Sequence, residues 1–88
     1  MNRKQRIEAA LRAAFAPESL DVQDDSAQHA GHAGASAEGE THYTVAIRSA
    51  AFAGMNRVAR SRAVHAVLDS ELKSGLHALA LRLSAVGE

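Results

Sequence analysis

From residue 3 to residue 15 the apolar side chains Ile7, Ala10, Leu11, Ala14 and Phe15 return every three or four positions between charged and polar ones. That spacing is one stripe of an amphipathic helix. Asn2 is placed to cap its first turn and Pro17 to stop it. The period then shortens: Leu20 and Val22 alternate with Asp21 and Gln23 over 19–24, which predicts a short strand. A stricter alternation runs over 41–48, with Tyr43, Val45 and Ile47 on one face and His42, Thr44, Ala46 and Arg48 on the other. This is the pattern of a half-buried strand. Residues 49–54 read as a turn containing Phe52, after which Val64, Val67, Leu68 and Leu72 mark a second amphipathic helix over 56–74. Gly75 ends it, as a left-handed residue after a helix commonly does. Over 77–84 the alternation returns, placing His77, Leu79, Leu81 and Leu83 on one side and Ala78, Ala80 and Arg82 on the other, a third strand.

The order helix, strand, strand, helix, strand constrains the topology. A helical connection between the second and third strands implies parallel pairing with a right-handed crossover. The expected fold is therefore α/β in the α+β sense, a three-stranded mixed sheet covered on one face by two helices. Residues 1–88 form a single domain, because a chain this short hides only about 60% of its unfolded surface and has nothing left for a second core. Between 25 and 39 the composition shifts to Ala, Gly, Ser, Asp and His without an apolar period, which predicts a long, flexible loop. Charges interrupt the apolar residues of the first eleven positions, so neither a signal peptide nor a membrane span is expected, and the location is cytoplasmic by default.

Charge and composition narrow the chemistry. Ten basic residues face ten acidic ones, so no long-range field draws the whole molecule to nucleic acid or to a membrane. Cysteine is absent, which excludes disulfides, thiol catalysis and any metal site built from this chain's own thiolates. With no nucleophile and base pair, phosphate-binding glycine loop or paired carboxylates in view, the chain is not expected to be an enzyme. Two features remain. His29 and His32, spaced HAGH in the loop, offer a half-site for a metal such as zinc or nickel. Arg57, Arg60 and Arg62 cluster at the start of the second helix, where they could contact phosphates. His42 and His65 read as structural or solvent-facing.

The residues Phe52, Gly54, Arg57, Arg60, Arg62, Val64, Leu68, Glu71, Leu72, Gly75, Leu76, His77, Ala78 and Leu79 resemble the BolA family, most specifically in the run SELKSGLHALAL. The upstream GETHYTVAIRSAAFAG and the opening RIEAALRAAFAPESLDVQDDS extend the similarity over nearly the whole chain. The resemblance implies a fold of the class II KH-like type. It also implies partnership with a monothiol glutaredoxin, in which a bridging [2Fe–2S] cluster is held by the glutaredoxin cysteine, a glutathione thiol and residues of the BolA-like chain. In that family the histidine of the HAL segment, here His77, is one ligand. The second is a His or Cys in the loop between the first two strands, best matched by His29, with His32 as its competitor. This chain departs from the family's frequent RHR, having Ser61 between Arg60 and Arg62, and its loop is longer than usual.

A [2Fe–2S] cluster takes four ligands, normally thiolates, and accepts histidine in their place. A chain that can supply only imidazoles must share such a cluster, and none is expected to stay tightly bound to the chain alone. Imidazole coordinates only when neutral, so the bonds should weaken as pH falls. The expected function is thus an adaptor in iron–sulfur cluster assembly, transfer or iron homeostasis, monomeric or weakly dimeric when alone. The alternative is a transcriptional regulator that binds DNA or RNA through the second helix, although no GxxG loop or aromatic stacking platform supports that mode.

Overall fold

The computed structural model describes residues 1–25 and 42–88. Along the chain these form α1 (Arg3–Phe15), β1 (Ser19–Asp24), β2 (His42–Arg48), α2 (Arg57–Val67), α3 (Asp69–Lys73) and β3 (Ala78–Ser84). A single 3-10 turn, Ala50–Phe52, joins β2 to α2. The loop expected over 25–39, with His29 and His32, and the strand start expected at Thr41 lie outside the described residues, Asp25 excepted.

α1 begins on a reciprocal cap. Asn2 Oδ1 accepts from the Gln5 amide at 2.8 Å, and Gln5 Oε1 accepts from the Asn2 amide at 3.0 Å. Two backbone donors that a helix start leaves without partners are thereby satisfied. At the other end Pro17 disfavours a further helical residue before it, and Ala16 turns left-handed at φ 42 while its amide still reaches Arg12 O at 3.1 Å.

The sheet has the order β1-β2-β3. β1 and β2 are antiparallel, with Leu20 opposite Ile47 and Val22 opposite Val45. β2 and β3 are parallel, with Tyr43, Val45 and Ile47 beside Leu79, Leu81 and Leu83. Since side chains alternate along a strand, this register gathers the apolar residues of all three strands on one face. α1 and α2 cover that face, burying Ile7, Leu11, Val64 and Leu68 against Val22, Tyr43, Val45, Ile47 and Phe52. Phe15 and Phe52 meet with ring centroids 4.9 Å apart and planes tilted by 39°. Ser49, fully buried, donates its hydroxyl to Phe15 O at 2.6 Å and accepts from the Ala51 amide at 3.0 Å, so its polar atom is satisfied inside the core. The mixed sheet, its parallel crossover and the helix-covered face agree with the architecture expected from periodicity.

The expected helix over 56–74 is in fact two. α2 stops at Leu68, whose ψ of 14° departs from helical geometry, and α3 adds a short piece beyond it. Leu68 N–H still bonds Val64 O and Leu72 N–H bonds Leu68 O, each at 3.0 Å, so the four-residue spacing of apolar side chains crosses the break unaltered. Periodicity alone therefore sees one helix. The third strand begins at Ala78, leaving His77 just ahead of it.

Candidate functional site at the amino end of the parallel strands

His77 is held by its neighbours rather than by its own ring. Leu76, 3% exposed, is anchored in the core, and its amide bonds Glu71 O at 3.0 Å. Ala78 is fixed by pairing with His42. Between them the His77 side chain is exposed. The backbone reaches this position through Gly75 at φ 127, a conformation that L side chains rarely adopt. A Cβ there would also stand 3.2 Å from Arg3 Nη2.

Arg3 is the reason for that close approach. Its guanidinium donates to Glu71 Oε1 at 2.8 Å, Glu71 O at 3.2 Å, Ser74 Oγ at 3.0 Å and Ser74 O at 3.1 Å. Arg6 adds bonds to the same carboxylate, Nε to Oε2 at 3.0 Å and Nη2 to Oε1 at 3.0 Å. The Arg6 hydrogen bond, assisted by the charge of Arg3, holds the Glu71 carboxyl below its ordinary range. Two arginines of α1 thus tie down the turn that leads into His77.

Because β2 and β3 are parallel, their first residues share one end of the sheet, and His42 lies beside Ala78, next to His77. β1 runs the other way and finishes at the same end, Asp24 facing Tyr43. The segment that carries His29 and His32 leaves the sheet after Asp25 and re-enters at His42. The Asp25 amide donates to His42 O at 2.8 Å, and Thr44 Oγ1 donates to the Asp25 carboxylate, so both attachment points are cross-linked. His77 and the two attachments of the histidine-bearing segment therefore converge at one end. His42, set aside in the sequence, belongs to the same end; its place as first residue of a strand parallel to the one after His77 was the available signal. Among the described residues no group of three or more His, Cys, Asp or Glu could hold a metal ion.

Of the three arginines of α2, Arg60 is paired within the protein. Arg60 grips Glu88 through two bonds of 2.6 Å, from Nη1 to Oε1 and from Nη2 to Oε2, and its Nε donates to Met55 O at 2.9 Å. Those hydrogen bonds, with the Ala85 amide, hold the Glu88 carboxyl down at about 2. Arg57 and Arg62 are exposed. His65 stays on its own helix, with Nδ1 2.8 Å from Ser61 O. No helix among the described residues is long and apolar enough to cross a membrane.

The family model described as BolA-like protein matches residues 11–88. A Sinorhizobium relative described as an uncharacterized protein in the cobS 5′ region is 51% identical over 89 residues, covering 100% of this chain and 96% of that one. The DNA-binding transcriptional regulator BolA of Escherichia coli is 39% identical, with 97% of this chain and 77% of that protein covered. The solved BolA domain of SufE1 from Arabidopsis thaliana superposes with a TM-score of 0.86 at 42% identity, covering 98% of this chain and 94% of the domain. The chain spans only 23% of the full SufE-like protein 1 of that plant.

Proposed function

Because this chain belongs to the BolA family, we propose that it is a non-enzymatic adaptor that joins a monothiol glutaredoxin and glutathione in holding a shared [2Fe–2S] cluster. The observation that carries this reading is His77: an exposed imidazole on an anchored backbone, at the end of the sheet where the segment bearing His29 and His32 is attached. The donor set supports a cluster shared with a partner. The chain has no thiolate, and its described residues hold no ligand group of three. The partner and glutathione would supply sulfur, while His77 and one of His29 and His32 would supply nitrogen. When bound, the cluster would bring one-electron redox capacity and a transferable iron–sulfur unit. The protein's own contribution is to fix the His77 backbone through the Arg3, Glu71 and Gly75 contacts, which lowers the ordering cost of coordination.

Mixing the chain with cluster-loaded, glutathione-bound glutaredoxin should change the visible circular dichroism, and His77→Ala should abolish the change. Comparing His29→Ala with His32→Ala identifies the loop ligand. A spectrum identical to that of the glutaredoxin alone would reject the proposal.

A second reading, nucleic-acid binding through α2, is favoured by the exposure of Arg57 and Arg62 and by the printed name of the Escherichia coli relative. Salt-dependent binding to duplex DNA that weakens in Arg57→Gln and Arg62→Gln would support it. Absence of binding at low salt would remove it.

A further inference from the structure

At the end of the sheet opposite His77, an open pocket of about 650 Å³ lies against the carboxyl ends of β2 and β3. Three arginines line it, Arg48, Arg57 and Arg82, together with Ser19, Ser61 and Ser84. They come from four separate elements. Sheet register places Ser19, Arg48 and Ser84 in one row across the three strands, and Ala46 beside Arg82 in the next row on the same face. Arg48 and Arg82 are thus diagonal neighbours, and Asp21 stands in the same row as Arg82, across Ala46. Arg57 opens α2, an eleven-residue helix whose positive dipole end it shares.

The charges of this pocket are only partly matched by the protein itself. Glu18 is the one acid in its lining. The nearby Glu88 side-chain carboxylate is committed to Arg60 and to the Ala85 amide, and Arg48 Nη2 donates to the Glu88 main-chain oxygen at 3.4 Å. Among the described residues the Arg57 and Arg82 side chains make no hydrogen bond or ion pair. In open sheets with parallel strands, the carboxyl ends next to a helix amino terminus form the usual ligand crevice. Guanidinium forks and serine hydroxyls are donors suited to phosphate oxygens.

We propose that this pocket binds a small phosphorylated ligand, either inorganic phosphate or a phosphate monoester. The site is separate from the His77 end and independent of the cluster. Titration of the full chain, followed by amide NMR shifts at constant ionic strength, tests it with inorganic phosphate and a nucleoside monophosphate in parallel. Saturable shifts at Ser19, Arg48, Arg57 and Ser84 are expected with at least one of the two, and the tighter binder of the pair separates the free ion from the ester. Arg57→Gln and Arg82→Gln should each raise Kd by about tenfold, the weight of a charge-assisted bond to an anion. His77→Ala should leave Kd unchanged. Both arginines are exposed, so the variants should keep the wild-type Tm. Shifts that never saturate, that survive both substitutions, or that arise only with duplex DNA would overturn the proposal.

Discussion

The Arg3 guanidinium and the Glu71 carboxylate meet at 2.8 Å across 68 positions of sequence, joining the first turn of α1 to the short helix α3. Both side chains are nearly buried, at 11% and 12% exposure. Truncating one partner of such a pair strands the other in a poorly solvated place, which costs more than the pair contributes net. Arg3 also caps the carbonyls of Glu71 and Ser74. Arg3→Ala should therefore lower stability by roughly 2–3 kcal/mol in urea unfolding, and Arg3→Lys should recover only part of it, because an ammonium lacks the fork that reaches four acceptors.

Acid should loosen the same clamp. The folded Glu71 carboxyl titrates below its ordinary 4.5, chiefly because Arg6 donates to it. In the window below 4.5 the unfolded chain binds more protons at this site than the folded one, so stability there rises with pH. The contribution is complete above 4.5 and is lost as pH falls through the folded value. Glu88, held at about 2 by Arg60, acts in the same direction between 4.5 and about 2. Tm measured from pH 6 down to pH 2 should fall, and Glu71→Gln should give a lower plateau with a shallower acid slope. An unchanged slope would show that the carboxylate is not clamped.

Gly75 and Gly54 offer a matched comparison. Both have positive φ, but a Cβ at Gly54 meets nothing within 4 Å, whereas at Gly75 it meets Arg3 Nη2 at 3.2 Å and φ is 127 rather than 77. Gly54→Ala should cost about 1 kcal/mol, the left-handed penalty alone. Gly75→Ala should cost roughly 2 kcal/mol or more. Thermal unfolding separates the two.

Leu68 joins the core to the helix break. It is fully buried, and Leu68→Ala should cost about 2–5 kcal/mol as a cavity opens. Val58, 58% exposed on α2, should tolerate alanine within about 0.5 kcal/mol. Denaturant midpoints with unchanged m-values would confirm that both report on packing.

Much of the fold was legible because one-sided burial writes a period into the sequence. Tyr43, Val45 and Ile47 revealed β2, and Leu79, Leu81 and Leu83 revealed β3, since each alternation matches a face that the register buries. The break at Leu68 left no trace, because side-chain spacing and two backbone bonds run through it. Long-range polar contacts were equally silent: nothing in the spacing of Arg3, Arg6 and Glu71 joins the first helix to the end of the second. The grouping of Arg57, Arg60 and Arg62 could be read from the sequence, whereas the pairing of Arg60 with Glu88, at the far end of the chain, could not. Of the candidate ligands, His77 owed its place to the resemblance, while its convergence with His42 became visible only once parallel pairing aligned the strand starts.

Tyr43 stands in the middle sheet strand at 2% exposure and is the only tyrosine in a chain without tryptophan. Near-ultraviolet emission of the isolated protein therefore comes from a single ring inside the packed interior. Any loosening of that interior is reported by one fluorophore, and a tryptophan-bearing binding partner can be excited selectively without background from this molecule.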